Sequence, residues 1–222
     1  KYMNMNSSPQ IYTTFSPTSA DSLQEYLWEK IDNGWSSKPY EYALRKNIAY
    51  SFQYLQYLDF EINKDPNRHV VINKMLYKTF IIVAFSIIEA LIYHDLKKKL
   101  LVKKEEYKEV GKYCNNVRDS DLQIRTSLFQ KNKDEILPDE HLKTKELFKR
   151  AQDNNLFGDD CDLYAKMNGM RKLRDKVHIH ISDTQKETDY NMFNQEVYKR
   201  NKETFLFIYS VYFALDELKL EI

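Results

Sequence analysis

The sequence predicts an all-α fold, an antiparallel helical bundle of about six helices. Three observations carry this. The 222 residues include only four Gly and five Pro (Pro9, Pro17, Pro39, Pro66 and Pro138), too few turn formers for the many short strands of a β-rich chain. Long apolar runs recur at helical spacing between these breakers. Only "VHIHI", Val177 to Ile181, alternates at strand period, and it is too short and isolated to count as a strand.

Residues 1–20 are rich in Ser, Thr and Asn and read as a flexible tail; 21–222 read as a single helical domain. Asp21 or Ser22 offers the first helix cap, with Glu25 at capping-box distance from Ser22. Leu23, Tyr26, Leu27, Trp28 and Ile31 give that helix an apolar face, and Gly34 ends it. A second helix follows Pro39, its apolar stripe formed by Tyr42, Leu44, Ile48, Phe52, Leu55, Leu58 and Ile62. Pro66 breaks the chain. A third, long helix runs from about Val70 to Leu101 and exits into the charged amphipathic stretch "KKKLLVKKEEYKEV". Residues 105–135 mix helix and loop signals. The next helix is expected from Asp139, just past Pro138, to "DNNLFGDD". Asp159 or Asp160 can cap the one after it, and a last helix spans about Tyr190 to Leu218.

Composition excludes several function classes. Hydrophobic residues make up 42% of the chain, enough for a sizeable core, and the net charge of +1 gives no global attraction to nucleic acid or membrane. A polyanion site must therefore be a local patch. Cys114 and Cys161 lie far apart and form no CxxC, a pattern that fits free thiols in a reducing compartment. The polar first thirty residues do not read as a signal peptide. "FIIVAFSIIEALIY", Phe80 to Tyr93, is shorter than a membrane span needs and contains Glu89. It reads as a buried core helix, and the protein as cytoplasmic, with no membrane partner.

The stretch "RKLRDKVHIH" carries the candidate chemistry. On a continuous helix Arg171, Arg174, Asp175 and His178 occupy i, i+3, i+4 and i+7 and share one face. His180 joins them only if the helix ends near Val177 to Ile179. A His at a helix C-terminus gains from the macrodipole when protonated, which suits a proton-transfer role near neutral pH. Arg and His together supply what metal-independent RNA cleavage needs. His can take the 2′-hydroxyl proton and protonate the leaving oxygen, and Arg can clamp the phosphoryl oxygens.

This stretch resembles the signature of HEPN domains (higher eukaryotes and prokaryotes nucleotide-binding): an Arg, a polar neighbour, then a His after four to six intervening positions. Arg174-Asp175 with His180 fits with five intervening residues, and Arg171 with His178 fits with six, although Lys172 is a less typical neighbour. Arg174 with His178 is one position too short. The resemblance implies an all-α bundle and a metal-independent endoribonuclease whose two motifs meet across a homodimer interface. It further implies a toxin or phage-defence setting, with an antitoxin or defence partner. No cofactor or metal is implied. It also implies an acidic residue on an earlier core helix, for which Glu89 is suitably placed. Arg174 and His180 are then central, with His178, Asp175 and Arg171 beside them and Glu89 in support. The alternative is a non-catalytic nucleotide-binding or dimerisation module of the same fold.

Plainer readings stand beside these. Arg171 and Asp175 form an ordinary i,i+4 surface pair. Glu89, in an apolar run, calls for a partner and can find it in a motif Arg as a structural ion pair. His178 and His180 as metal ligands lack a supporting HExxH or CxxC. His69, His94 and His141 are isolated. The Tyr-rich "YSFQYLQYLDF" can stack bases but at helical spacing favours a core role. "LKKKLLVKK", Leu96 to Lys104, is a basic patch that also suits a solvated helix end.

Overall fold

The computed structural model describes residues 15–31, 39–65, 67–116, 121, 123–134, 137–176 and 189–213. They form two compact units. One comprises the described residues within 1–91 and 157–222, and the other Ile92–Leu156. Six helices dominate: α1 Ala20–Ile31, α2 Pro39–Lys64, α3 Val70–Lys98, α4 Thr144–Asp153, α5 Cys161–Asp175 and α6 Gln195–Phe213. The fold is mostly helical but not purely all-α. Strands β1 Tyr107–Asn116 and β2 Gln123–Lys131 pair antiparallel, and a short strand β3 covers Leu156–Asp159. "VHIHI" lies outside the described residues.

Local chemistry sets the helix ends. The cap of α1 is Ser19, not Asp21 or Ser22. Its hydroxyl accepts from the Ser22 amide at 3.0 Å, which satisfies one of the unpaired amides of the first turn. Pro39 occupies the first helical position of α2, where its missing N–H costs nothing. The last residues of the expected tail lie on α2. Thr18 exchanges hydrogen bonds with Gln53 and Gln56, and Phe15 packs on Tyr57 and Phe60.

The core of the first unit forms where α1, α2, α3 and α6 present apolar rows. Leu23, Leu27 and Ile31 of α1 are buried, as are Ile48, Phe52, Leu55, Leu58 and Ile62 of α2. From the expected α2 stripe, Tyr42 instead points to water, and in α1 Trp28 does the same. Phe52 stacks on Tyr209 with centroids 4.9 Å apart and approaches Phe205 at 6.2 Å. Tyr77 and Phe80 of α3 flank Tyr198 of α6. By length and composition α3 could cross a membrane, yet half of its most apolar window is buried within the fold. Phe80, Ile81, Ala84, Phe85, Ile87 and Ile88 are almost fully covered.

Burial pushes the phenols of Tyr77, Tyr198 and Tyr209 above the usual tyrosine range, and Tyr198 is pushed further by donating its hydroxyl to Asp59. Above about pH 10 the unfolded chain releases these protons while the native state keeps them. Stability is therefore fully present below that pH and falls as pH rises through it. Alkaline titration should show some tyrosines ionising only together with loss of helical circular dichroism. Smooth ionisation of every tyrosine near pH 10 with the helices intact would contradict this burial.

In the second unit β1 and β2 form a ribbon with a bulge at Val110. Every residue of the two strands except Gly111 is exposed. Such a ribbon is marginal alone, and its base is tied down. The Glu105 amide donates to the Pro138 carbonyl at 2.8 Å, Glu140 to Lys103 at 2.9 Å and Asn132 to Glu106 at 2.8 Å. Residues 138–140 are therefore used in pairing, so α4 begins at Thr144 rather than Asp139. Arg150 of α4 reaches the Leu101 carbonyl at 3.0 Å and pairs with Glu140 and Glu146. The Arg150 guanidinium holds the Glu140 carboxyl below the usual range.

Candidate functional site

Helix α5 begins where the Asp160 carboxylate accepts from the amides of Asp162 and Leu163, at 2.9 and 3.1 Å. This makes Asp160 the cap, one of the two residues expected. Leu163, Tyr164, Met167 and Met170 turn inward. That row leaves Arg171, Arg174 and Asp175 at the rim of the first unit.

The helix ends at Asp175, and Lys176 is the C-cap with φ −84° and ψ 12°. Of the helical face expected for Arg171, Arg174, Asp175 and His178, the described helix carries the first three. His178 and His180 lie outside the described residues, within five positions of Asp175 in the sequence.

Of the expected site residues Arg174 alone touches Glu89, and Asp175 and Arg171 join the cluster through it. The Arg174 Nη2 donates to both Glu89 oxygens, at 3.0 and 3.3 Å. Its Nη1 donates to Asp175 Oδ1 at 3.2 Å. The other Asp175 oxygen accepts from Arg171 Nη1 at 2.9 Å, and Arg171 Nε reaches Asn168 Oδ1 at 3.5 Å. Beneath Arg174 the ring of Phe85, one turn before Glu89 on α3, lies 5.5 Å from the guanidinium carbon. Phe85 is fully buried.

The arrangement fixes a guanidinium between a core phenyl ring and two carboxylates. Arg174 is 34% exposed and Glu89 27%, so the cluster stands at the border of core and water. Two cations and two carboxylates balance. The Arg171–Asp175 pair follows ordinary helix spacing. The Arg174–Glu89 contact, by contrast, joins residues 85 positions apart and specifies how α5 docks on α3. Sequence reasoning missed Phe85 and Asn168. Phe85 sits four positions before Glu89, so the spacing could have flagged it.

Elsewhere the candidate groups separate. In the second unit Lys97 and Lys104 of the basic patch both bind Asp139, at 2.6 and 2.5 Å, which offsets their charge and holds that carboxyl below its usual range. His69 caps the start of α3 through its ring nitrogen, and His94 is buried. Among the described residues no group of three or more His, Cys, Asp or Glu is placed to hold a metal ion. No protein-family model, curated protein or solved structure matches the chain.

Proposed function

We propose that the protein is a metal-independent endoribonuclease of HEPN type, acting in the cytoplasm as a homodimer, in a toxin or phage-defence role with a cognate antitoxin or defence partner. The observation that supports this best is the anchoring of Arg174. Glu89 and Phe85 orient a guanidinium that remains open to water, just before a segment bearing two His. An incoming phosphodiester competes with Asp175 for the Nη1 edge of Arg174, while Glu89 retains Nη2. His180 or His178 removes the 2′-hydroxyl proton, the 2′-oxygen attacks phosphorus and the bond to the 5′-oxygen breaks. A His returns a proton to that oxygen. Arg174 stabilises the charge that builds on the phosphoryl oxygens.

The test is incubation of purified protein with RNA in EDTA. Cleavage should persist and leave a 2′,3′-cyclic phosphate, whereas DNA, lacking the nucleophile, should survive. Light scattering should give a dimer, as a site shared across a twofold requires. Arrest by EDTA, or a monomer that still cuts, would sink this mechanism.

One observation favours a second reading. Glu89 and Asp175 already match the charges of Arg171 and Arg174, as they would in a non-catalytic nucleotide-binding or dimerisation module. Nucleotide binding without turnover, lost in Arg174→Ala, would support it.

A further inference from the structure

Helices α5 and α6 border a cavity of about 280 Å³. It lies near the start of α5, about 16 Å along the helix from Arg174 if measured from Leu163. Asp160, the cap of α5, lines one side with Leu163 and Lys166. Arg200, Glu203 and Phe207 of α6 line the other. They stand at i, i+3 and i+7, so one face of α6 presents all three. Leu163 is buried and Phe207 half-exposed, which gives the cavity an apolar wall beside its charges. Thr204 also lines it, but its hydroxyl is used within the helix, donating to the Arg200 carbonyl at 2.8 Å.

The charges of the lining are not equally engaged. Lys166 pairs with the neighbouring Asp162 at 2.7 Å. One Asp160 oxygen accepts from the amides of Asp162 and Leu163. Arg200 and Glu203 make no ion pair among the described residues, although Glu203 is near enough to act on Lys166 through its charge. One cation and one carboxylate, about 5–6 Å apart at their Cβ atoms, thus border the same small space. A ligand with a single charge would meet its like there. An anion is repelled by Glu203 and Asp160, and a cation by Arg200 and Lys166. A purely apolar ligand would strip water from both signs and return nothing. A zwitterion offers each its complement. Sites for drug-sized ligands run from about 300 to 1,000 Å³, so this cavity suits a smaller metabolite.

We propose that this cavity binds a free α-amino acid with an apolar side chain. Its carboxylate pairs with the Arg200 guanidinium, whose planar fork matches two carboxylate oxygens. Its ammonium pairs with Glu203, and its side chain lies against Leu163 and Phe207. Both charges must sit on one α-carbon, which excludes the end of a peptide chain, where only one is present. The site is separate from the Arg174 cluster and does not depend on the ribonuclease reading.

The test is titration calorimetry on the full chain with L-phenylalanine and two analogues that keep its ring and lose one charge. N-acetyl-L-phenylalanine lacks the ammonium, and L-phenylalanine amide lacks the carboxylate. The parent should bind, and each analogue should bind about tenfold or more weakly, the loss of one charge-assisted hydrogen bond. Glu203→Gln should weaken the parent by about the same factor and no longer distinguish it from the N-acetyl compound. Arg200→Gln should likewise no longer distinguish it from the amide. Both side chains are exposed, so the helical circular dichroism of each variant should match wild type. Absence of binding by L-phenylalanine and L-leucine up to about 10 mM would overturn the proposal. So would unchanged affinity in either variant, which would place the ligand elsewhere. Equal binding of the amide by wild type would make this a cation site instead, and equal binding of the N-acetyl compound an anion site; either result overturns it.

Discussion

Arg174→Ala should lower RNA cleavage by about 10²- to 10³-fold, the loss typical when one oxyanion-stabilising donor is removed. The helical circular dichroism spectrum should not change, because the side chain sits at the rim of the fold. Arg174→Lys should recover only part of the rate. A lysine carries the charge but cannot span two oxygens, and it loses the guanidinium that lies over the Phe85 ring. Glu89→Gln separates orientation from charge. It keeps an acceptor for Nη2 but weakens the pair, so kcat should fall while KM stays near wild type. His180→Ala and His178→Ala, measured alongside, decide which imidazole moves the proton. Wild-type cleavage by Arg174→Ala would remove this arginine from the mechanism.

The largest effect on stability should come from Asp59→Ala, a loss of about 3–5 kcal/mol. One oxygen of Asp59 accepts from the Tyr198 hydroxyl and from the Lys202 ammonium, the latter at 2.7 Å, with only 8% of the Asp59 side chain exposed. Truncation leaves a largely buried ammonium without its carboxylate and a buried hydroxyl without its acceptor. Tyr198→Phe should cost far less, about 1 kcal/mol, because Lys202 still neutralises Asp59. Adding Lys202→Met to Asp59→Ala should restore a good part of the loss, since no charge then stays buried. Denaturant unfolding of the four proteins checks this. A loss below about 1 kcal/mol for Asp59→Ala would mean that the pair behaves as a surface salt bridge.

Much of the helical frame was legible because its boundaries are chemical. Pro39 and Asp160 sit where helix starts are expected, and α3 reveals itself as an uninterrupted apolar run. The hairpin was not legible for the opposite reason. Both of its faces meet water, so "YKEVGKYCNN" shows no alternation of apolar and polar residues, and the bulge at Val110 breaks the period further. Asp139 misled because a residue after proline resembles a helix start, whereas here its carboxylate is held by two lysines. At the candidate site the need of Glu89 for a partner pointed to an arginine, and the structure supplies Arg174. The helix stop at Asp175 left less trace. Lys176 and Val177 carry no glycine or proline to mark it. The outward turn of Tyr42, Tyr50, Tyr54 and Tyr57 on α2 was hidden because tyrosine counts as apolar in a periodicity and yet tolerates water.

The bond between Asp59 and Lys202 joins residues 143 positions apart, and this bears on how the protein is born. About a hundred residues separate the end of α3 from the start of α6. At ribosomal speed that is roughly 5–20 s of synthesis. Throughout that interval Phe52, Tyr77 and Phe80 have emerged without their partners Tyr198, Phe205 and Tyr209. Each doubling of such a loop adds only about 0.6 kcal/mol to the cost of closing it, because the entropy grows with the logarithm of length. The loop does impose a waiting time. During translation the rings of α2 and α3 that pack on α6 therefore stay without that cover until α6 has been made.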